Sequence, residues 1–93
     1  MLRRSERTTY MGSLTVHVFD YQQKPVEGRK VYCDFIGRVS GMFDTHGEEY
    51  TDDEGIAEFH DVPVGTVEVY VDGEKQLEVS VGQNDYEDVT VTI

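Results

Sequence analysis

The sequence of 93 residues has a single cysteine, two prolines and no tryptophan. With Cys33 alone, no disulfide can form within the chain, so the fold has to be stabilised by its core. Cys33 alternates in phase with Val31 and Phe35, which predicts a buried thiol that packs as a small hydrophobic group. A catalytic thiol needs a neighbouring base, and the surrounding sequence supplies none.

Long apolar segments are also absent. No segment is long enough to cross a bilayer, and the basic N-terminus lacks the apolar stretch of a secretion signal. We therefore expect a cytoplasmic protein, or an extracellular one if the sequence is excised from a longer secreted chain. No long segment has apolar residues at helical spacing, whereas valine, threonine and tyrosine are frequent, which favours an all-β class.

Positive charge is missing from the middle of the chain. The net charge is −11, and eleven acidic residues but no lysine or arginine lie between Arg38 and Lys75. Since binding to phosphate needs cationic side chains, we expect neither a nucleic acid nor a membrane as partner. Residues 1–12 carry a net charge of +2 and are predicted to form a disordered basic tail, which leaves 13–93 as the domain.

Apolar and polar residues alternate over most of the domain, as expected for strands with one buried face. The predicted strands are 13–20, 29–36, a short edge strand in 38–43, 48–51, 56–60, 66–71, 76–81 and 86–93. Turn signals separate them, including 52–55, a proline and glycine corner at 61–65, and the Asp72-Gly73 hairpin. The sequence thus predicts a seven- to eight-stranded antiparallel β-sandwich of the Ig-like or prealbumin-like kind. Its predicted core consists of Val16, Val18, Val31, Phe35, Phe59, Val67, Val69, Val71, Val79 and Val91.

Two segments carry a resemblance to a known group. The opening, LTVHVFD at 14–20 with KPVEG at 24–28, resembles prealbumin-like β-sandwiches, which include the transthyretin family and the collagen-adhesin repeats. The middle, TDDEGIAEF at 51–59 with VPVG at 62–65, resembles the carboxypeptidase regulatory-like domains most closely. The resemblance covers 14–93 and implies the fold, whereas it says little about function because such sandwiches have many roles.

Specialised members of this group do not match the chain. The isopeptide bond of adhesin repeats is not expected, because the first strand has no lysine and Val89–Ile93 offers no partner side chain. Hydroxyisourate hydrolases of the transthyretin family have a catalytic histidine where His17 stands, but their C-terminal Tyr-Arg-Gly-Ser is absent. A lone histidine cannot orient a substrate, move its proton and stabilise an oxyanion, so this enzyme is only an alternative. Intradiol dioxygenases need paired tyrosine and histidine iron ligands over a longer chain.

Metal sites have little support. The acidic stretch 44–61 offers oxygen ligands for a weakly bound cation, but it lacks the spacing of a calcium loop and is better explained by turns. The histidines at 17, 46 and 60 follow no ligand spacing. We predict no metal and no cofactor.

Exposed aromatic residues are the better functional signal. Tyr32, Tyr70 and Phe43 fall on positions that the alternation assigns to the outside, and we take them as candidate contact residues. The leading hypothesis is a non-catalytic module for protein–protein contact or structural spacing. Its partner would be another protein or a second copy, bound at a sheet edge such as 38–43 or on an aromatic strip. The alternative is a carbohydrate-binding module.

Overall fold

The computed structural model describes residues 11–36 and 46–93, which form seven strands in two sheets and no helix. None of these residues belongs to a helix that could cross a membrane. The strands are β1 Met11–Phe19, β2 Lys30–Phe35, β3 His46–Tyr50, β4 Ile56–Pro63, β5 Gly65–Val71, β6 Glu74–Val81 and β7 Tyr86–Thr92. The sheets have the orders β4-β1-β7 and β3-β2-β5-β6.

The two sheets pack face to face around one apolar core, which confirms the predicted β-sandwich class. Alternation sets the buried face of each strand: in β5, Val67, Val69 and Val71 are buried, whereas Glu68 and Tyr70 between them are half-buried on the outside. Burying a side chain of this size contributes about 1.5–3 kcal/mol. The full core is Leu14, Val16, Val18, Val31, Cys33, Phe35, Ala57, Phe59, Val62, Val67, Val69, Val71, Val81 and Val91.

The predicted core is confirmed at nine positions, and the tenth differs in degree. Val79 is partly buried and packs against the core from β6. Residues 1–10 of the predicted tail and the predicted edge strand 38–43 lie outside the described residues. The first strand begins at Met11, two residues before its predicted start.

One strand pair corrects the prediction of wholly antiparallel sheets. β7 runs parallel to β1, with Ser13 opposite Tyr86 at one end and Phe19 opposite Thr92 at the other. The other four pairs in the described residues are antiparallel. The physical reason is that β6 and β7 do not form a hairpin. The chain leaves β6 in one sheet and joins the other sheet at β7. The partner of β7 is β1, and no short turn connects these two strands, so they are free to run parallel.

β4 also ends later than predicted, at Pro63 instead of His60, so the bend takes up only the end of the predicted corner 61–65. The strand continues to Pro63, and a bulge opposite Gly12–Leu14 absorbs one extra residue, with Asp61 at φ 58°. A bulge shifts the alternation by one residue, so Val62 is buried instead of forming part of a surface turn. The bend itself is at Val64, and Gly65, which has φ 137°, begins β5. The predicted hairpin at Asp72-Gly73 is present, with φ of 52° and 89° at its two residues.

Candidate functional site

The outer face of the four-stranded sheet brings together two of the three predicted contact residues. β2 and β5 pair so that Tyr32 lies directly opposite Tyr70. Their ring centroids are 5.9 Å apart and the rings meet edge to face at 71°. On its other side, the Tyr32 ring stacks with His46 of β3 at 5.3 Å. We call these three rings the tyrosine face.

Charged side chains surround the tyrosine face on the β5–β6 side. The Tyr70 hydroxyl donates a hydrogen bond of 3.0 Å to Oε1 of Glu68. The Lys75 ammonium donates to Oε2 of Glu68 at 3.0 Å and to Oε2 of Glu78 at 2.8 Å. The pairing of β5 with β6 causes this arrangement, since Glu68 lies opposite Glu78 and Tyr70 lies opposite Lys75. The lysine therefore bridges two carboxylates that would otherwise repel each other.

These contacts shift the titration of the three groups around Tyr70. Hydrogen bonds from Lys75 and then Tyr70 lower the pKa of the Glu68 carboxyl. Hydrogen bonds to Glu78 and Glu68 raise the pKa of the Lys75 ammonium, and the hydrogen bond to Glu68 raises the pKa of the Tyr70 hydroxyl. At neutral pH the cluster thus keeps a charged carboxylate, a charged ammonium and a neutral phenol.

This surface combines aromatic rings with hydrogen-bonding groups. Tyr32 and Tyr70 are half-buried, because each ring covers part of the other. Three aromatic rings bordered by carboxylates can contact the C–H face of a sugar ring and accept hydrogen bonds from its hydroxyls. The third predicted contact residue, Phe43, lies outside the described residues.

His17 lies on the outer face of the other sheet, away from the tyrosines. Its Nε2 atom is 3.4 Å from Oδ1 of Asp88, and its side chain is 30% exposed. Its direct neighbours across β4 and β7 are Ile56 and Thr90, so neither flanking position supplies a second base. Within 11–36 and 46–93, no group of three or more potential ligand side chains could hold a metal ion.

The acidic stretch uses its best-placed carboxylate to stabilise a turn. Oδ1 of Asp52 accepts hydrogen bonds from the backbone N–H groups of Glu54 and Ile56, both at 2.9 Å. Asp20 stabilises a turn in the same way, because its Oδ1 accepts hydrogen bonds from the backbone N–H groups of Gln22 and Lys24 at 2.8 and 3.0 Å. Such bonds are typical of aspartates in tight turns and support the turn interpretation of the stretch.

Two surface concavities lie at opposite ends of the sandwich, and sequence reasoning missed both. One has a volume of about 380 Å³ and is lined by Met11, Gly12, Ser13, Asp61, Asn84, Asp85 and Tyr86. The other measures about 420 Å³ and is lined by Tyr21, Arg29, Val71, Asp72, Glu74, Gln76, Thr92 and Ile93. Each includes a highly exposed tyrosine, Tyr86 at 86% and Tyr21 at 85%. Both tyrosines sit beside turns, where alternation carries no signal.

Comparisons with known proteins add information on the fold. No family model and no curated protein matches the sequence. Among solved structures, the chain is similar to the TIE protein of Bacillus anthracis, with a TM-score of 0.69 and 16% identity over 89% of this chain and 16% of that one. The major pilin subunit BcpA of Bacillus cereus matches with a TM-score of 0.69 and 14% identity, over 88% of this chain and 29% of that one.

A third structure is matched over most of its own length. A candidate carbohydrate-binding protein from Pseudomonas aeruginosa has a TM-score of 0.62 and 14% identity, over 92% of this chain and 90% of that one. Enzymes also occur among the matched structures at lower TM-scores, including a dioxygenase at 0.54. The specific kinship with carboxypeptidase regulatory-like domains stays a prediction. The chain spans about a sixth of the TIE protein and less than a third of BcpA, and at these identities the likeness shows a shared β-sandwich fold alone.

Proposed function

We propose that the chain is a non-catalytic β-sandwich module that holds the segments joined to its two ends apart. One observation carries this proposal: β1 and β7 are parallel neighbours, paired from Ser13–Tyr86 to Phe19–Thr92. The chain therefore enters the sandwich at one end and leaves it at the other. Over the paired positions, a rise of about 3.3 Å per residue separates the two ends by about 20 Å.

The composition of the interior supports a structural role. The core is filled by apolar side chains, and the described concavities are at the surface of the two ends. A sandwich of this size uses its interior for packing. The likeness to BcpA is compatible with spacing, because the matched sandwich there is one part of a longer pilin subunit.

Small-angle X-ray scattering of a tandem protein tests the proposal. Two copies of the full sequence are joined in one chain, so that residues 1–10 of the second copy connect the two sandwiches, and the single chain is the control. The connection leaves the first sandwich at one end and enters the second sandwich at the opposite end. We therefore expect the maximum dimension of the tandem protein to be close to twice that of the single chain. A tandem protein whose two sandwiches lie side by side, with little gain in maximum dimension, would contradict spacing.

Carbohydrate binding on the tyrosine face is the second candidate function. The observation in its favour is the outward cluster of Tyr32, Tyr70 and His46 beside the Glu68 carboxylate. The similarity in fold to the candidate carbohydrate-binding protein of Pseudomonas aeruginosa is compatible with this role. Aromatic rings at a protein surface can contact sugar rings, and hydrogen bonds from neighbouring polar groups contribute as well.

A backbone NMR titration with a panel of neutral oligosaccharides tests this second role. Binding should shift resonances around Tyr32 and Tyr70, and Tyr32→Ala should abolish it. Tyr86→Ala is the matched control, because that tyrosine is 86% exposed at one end of the sandwich. Shifts confined to other surfaces, or equal losses in both variants, would exclude the tyrosine face as the binding site.

A further inference from the structure

We propose that the β1–β7 pair is a mechanical clamp that resists tension applied between the two ends of the chain. The inference rests on the proposed spacing function, since tension along attached segments shears the β1–β7 pair only when those segments enter and leave the module at opposite ends. The resistance itself is a property of one sandwich and is measured on a single copy.

The direction of the two strands determines how tension reaches their hydrogen bonds. Tension draws β1 toward Met11 and draws β7 toward Thr92, which are opposite directions along two parallel strands. Hydrogen bonds of a parallel pair are evenly spaced and slanted between the two strands, and each of them is loaded when the strands slide past each other. All of them are sheared together, and the pair separates only when many break at once. In an antiparallel pair of terminal strands both ends would emerge together, and the bonds would open one after another.

The pair is hydrogen-bonded along its full length. The Ser13 N–H donates to the carbonyl oxygen of Asp85 at 2.8 Å at one end, and the Ile93 N–H donates to the carbonyl oxygen of Phe19 at 2.9 Å at the other. Seven residue pairs lie between these bonds. A further bond of 2.9 Å joins the Asn84 N–H to the carbonyl oxygen of Met11. The tension is thus shared over nearly the whole of β1.

Tension between the ends has to pass through this pair. β1 lies between β4 and β7, so it is held on both sides, whereas β7 has only β1 as its neighbour in the described sheet. Sliding is also opposed by the core, because a shift of one residue would move Val91 out of the interior and bring Thr90 or Thr92 in. No disulfide shares the tension, because Cys33 is the only cysteine.

Single-molecule force spectroscopy on the full chain tests the clamp by comparing two directions of pulling. In the first, handles are attached to both chain ends. In the second, one handle is attached at the C-terminus and the other at Tyr21→Cys, which replaces a tyrosine that is 85% exposed just after β1. Position 21 and Ile93 line the same concavity, so this pull opens β1 and β7 from one end. Cys33 is fully buried and does not compete for the label.

We expect the unfolding force at equal loading rate to be several times higher when the chain is pulled from both ends. The comparison is closely matched, because the two proteins differ only in the Tyr21→Cys substitution at a highly exposed position and in where force is applied. Forced unfolding reports the rate of unfolding along the pulled direction rather than the equilibrium stability. Equal forces in the two directions, or a lower force from the chain ends, would overturn the clamp.

A pair of proline variants tests the hydrogen bonds themselves. N–H groups point alternately to the two sides of a strand, and Ile93 donates to β1. The N–H of Glu87 therefore faces β1, and that of Asp88 faces the edge of β7 that has no partner strand among the described residues. Glu87→Pro removes a bond of the clamp, whereas Asp88→Pro removes an acid of the same charge and its side-chain contact of 3.4 Å with His17, but no backbone bond of the pair. We expect a lower end-to-end unfolding force for Glu87→Pro and a force near that of the parent for Asp88→Pro.

The outcomes are separable. If Glu87→Pro folds and unfolds at the same force as Asp88→Pro, the hydrogen bonds of the pair do not carry the tension and the clamp is excluded. If Glu87→Pro does not fold, the comparison of pulling directions decides alone. A tandem protein with its sandwiches side by side would contradict spacing and leave the directional difference in force intact. If the tandem protein is extended but the single chain unfolds at equal forces in the two pulling directions, only the clamp is contradicted.

Discussion

The hydroxyl of Thr51 donates a hydrogen bond of 2.7 Å to the carbonyl oxygen of Val26. The Oγ1 atom of Thr51 also accepts a hydrogen bond of 2.9 Å from the backbone N–H of Arg29. Thr51 is 4% exposed and is the one buried polar side chain among the described residues. A single hydroxyl thus ties the connection between β1 and β2 to the segment that follows β3.

Replacing this hydroxyl should be costly. Thr51→Val keeps the shape of the side chain but leaves the Val26 carbonyl and the Arg29 N–H without their partner, so we expect a loss of about 2 kcal/mol in the free energy of unfolding. Urea unfolding measures the change as a lower midpoint with an unchanged slope. Thr90→Val on the exposed side of β7 is the control and should change stability by less than about 0.5 kcal/mol. Similar losses in both variants would contradict the role of the buried hydroxyl.

Two glycines with positive φ should respond differently to alanine. Gly55 has φ +77°, and an added Cβ would lie 2.6 Å from the carbonyl oxygen of Val18. Gly73 has φ +89° and nothing within 4 Å of an added Cβ. Gly73→Ala should therefore cost about 1 kcal/mol for the backbone conformation alone, and Gly55→Ala should cost about 2 kcal/mol more because of the overlap. Thermal unfolding of the two variants provides the measurement, and equal melting temperatures would refute the difference.

The buried thiol predicts a loss of stability at alkaline pH. Burial raises the pKa of the Cys33 thiol from its ordinary value of 9.0 to about 12. Above pH 9 the unfolded chain releases this proton and the folded chain retains it. The stability contributed by the protonated thiol is therefore fully present below pH 9 and is lost as pH rises toward 12. Between pH 8 and pH 10 the titration of this thiol should lower the free energy of unfolding by about 1.4 kcal/mol.

The variant Cys33→Ala isolates that contribution from the titration of Tyr70. The hydrogen bond to Glu68 raises the pKa of the Tyr70 hydroxyl in both proteins, but only the parent has the additional slope from the thiol. The difference between their unfolding free energies, measured by urea titration from pH 8 to pH 10, should shrink by the amount above. A constant difference over this range would mean that the thiol does not titrate as its burial requires.

The environment of His17 predicts no hydrolase activity. The histidine pairs weakly with Asp88 and has Ile56 and Thr90 as its direct neighbours, an arrangement without the further groups that acid–base catalysis requires. Spectrophotometric assays should therefore show hydroxyisourate decaying at the same rate with and without the protein. Turnover that His17→Ala removes would contradict the non-catalytic proposal.

The strands were predictable because alternation is a local property of the sequence. β1, β2, β5 and β7 follow the predicted alternation closely, and the Asp72-Gly73 turn has the backbone conformation that its residue types favour. The predicted end of β4 was wrong because a bulge at Asp61 shifts the alternation, and the residue types there do not indicate a bulge. The predicted antiparallel direction of β7 was wrong because the direction depends on which sheet the chain joins after β6, and the local sequence does not determine that.

The candidate site was predictable only in part, for a related reason. Alternation assigned Tyr32 and Tyr70 to the outside of their strands, but their direct contact depends on the register of β2 with β5. The stacking of His46 on Tyr32 depends in addition on the register of β3 with β2. The exposed tyrosines at the two ends lie beside turns and gave no periodic signal.

The parallel pair of first and last strands also affects how the chain reaches its native state. β1 is the central strand of its sheet, yet one of its two neighbours is β7, at the far end of the described chain. During synthesis on the ribosome, β1 can pair with β4 but stays unpaired along its other edge until β7 has emerged. Contacts this distant in sequence slow folding, and an unpaired edge exposes the chain to association with other copies. We therefore expect the three-stranded sheet to be completed last.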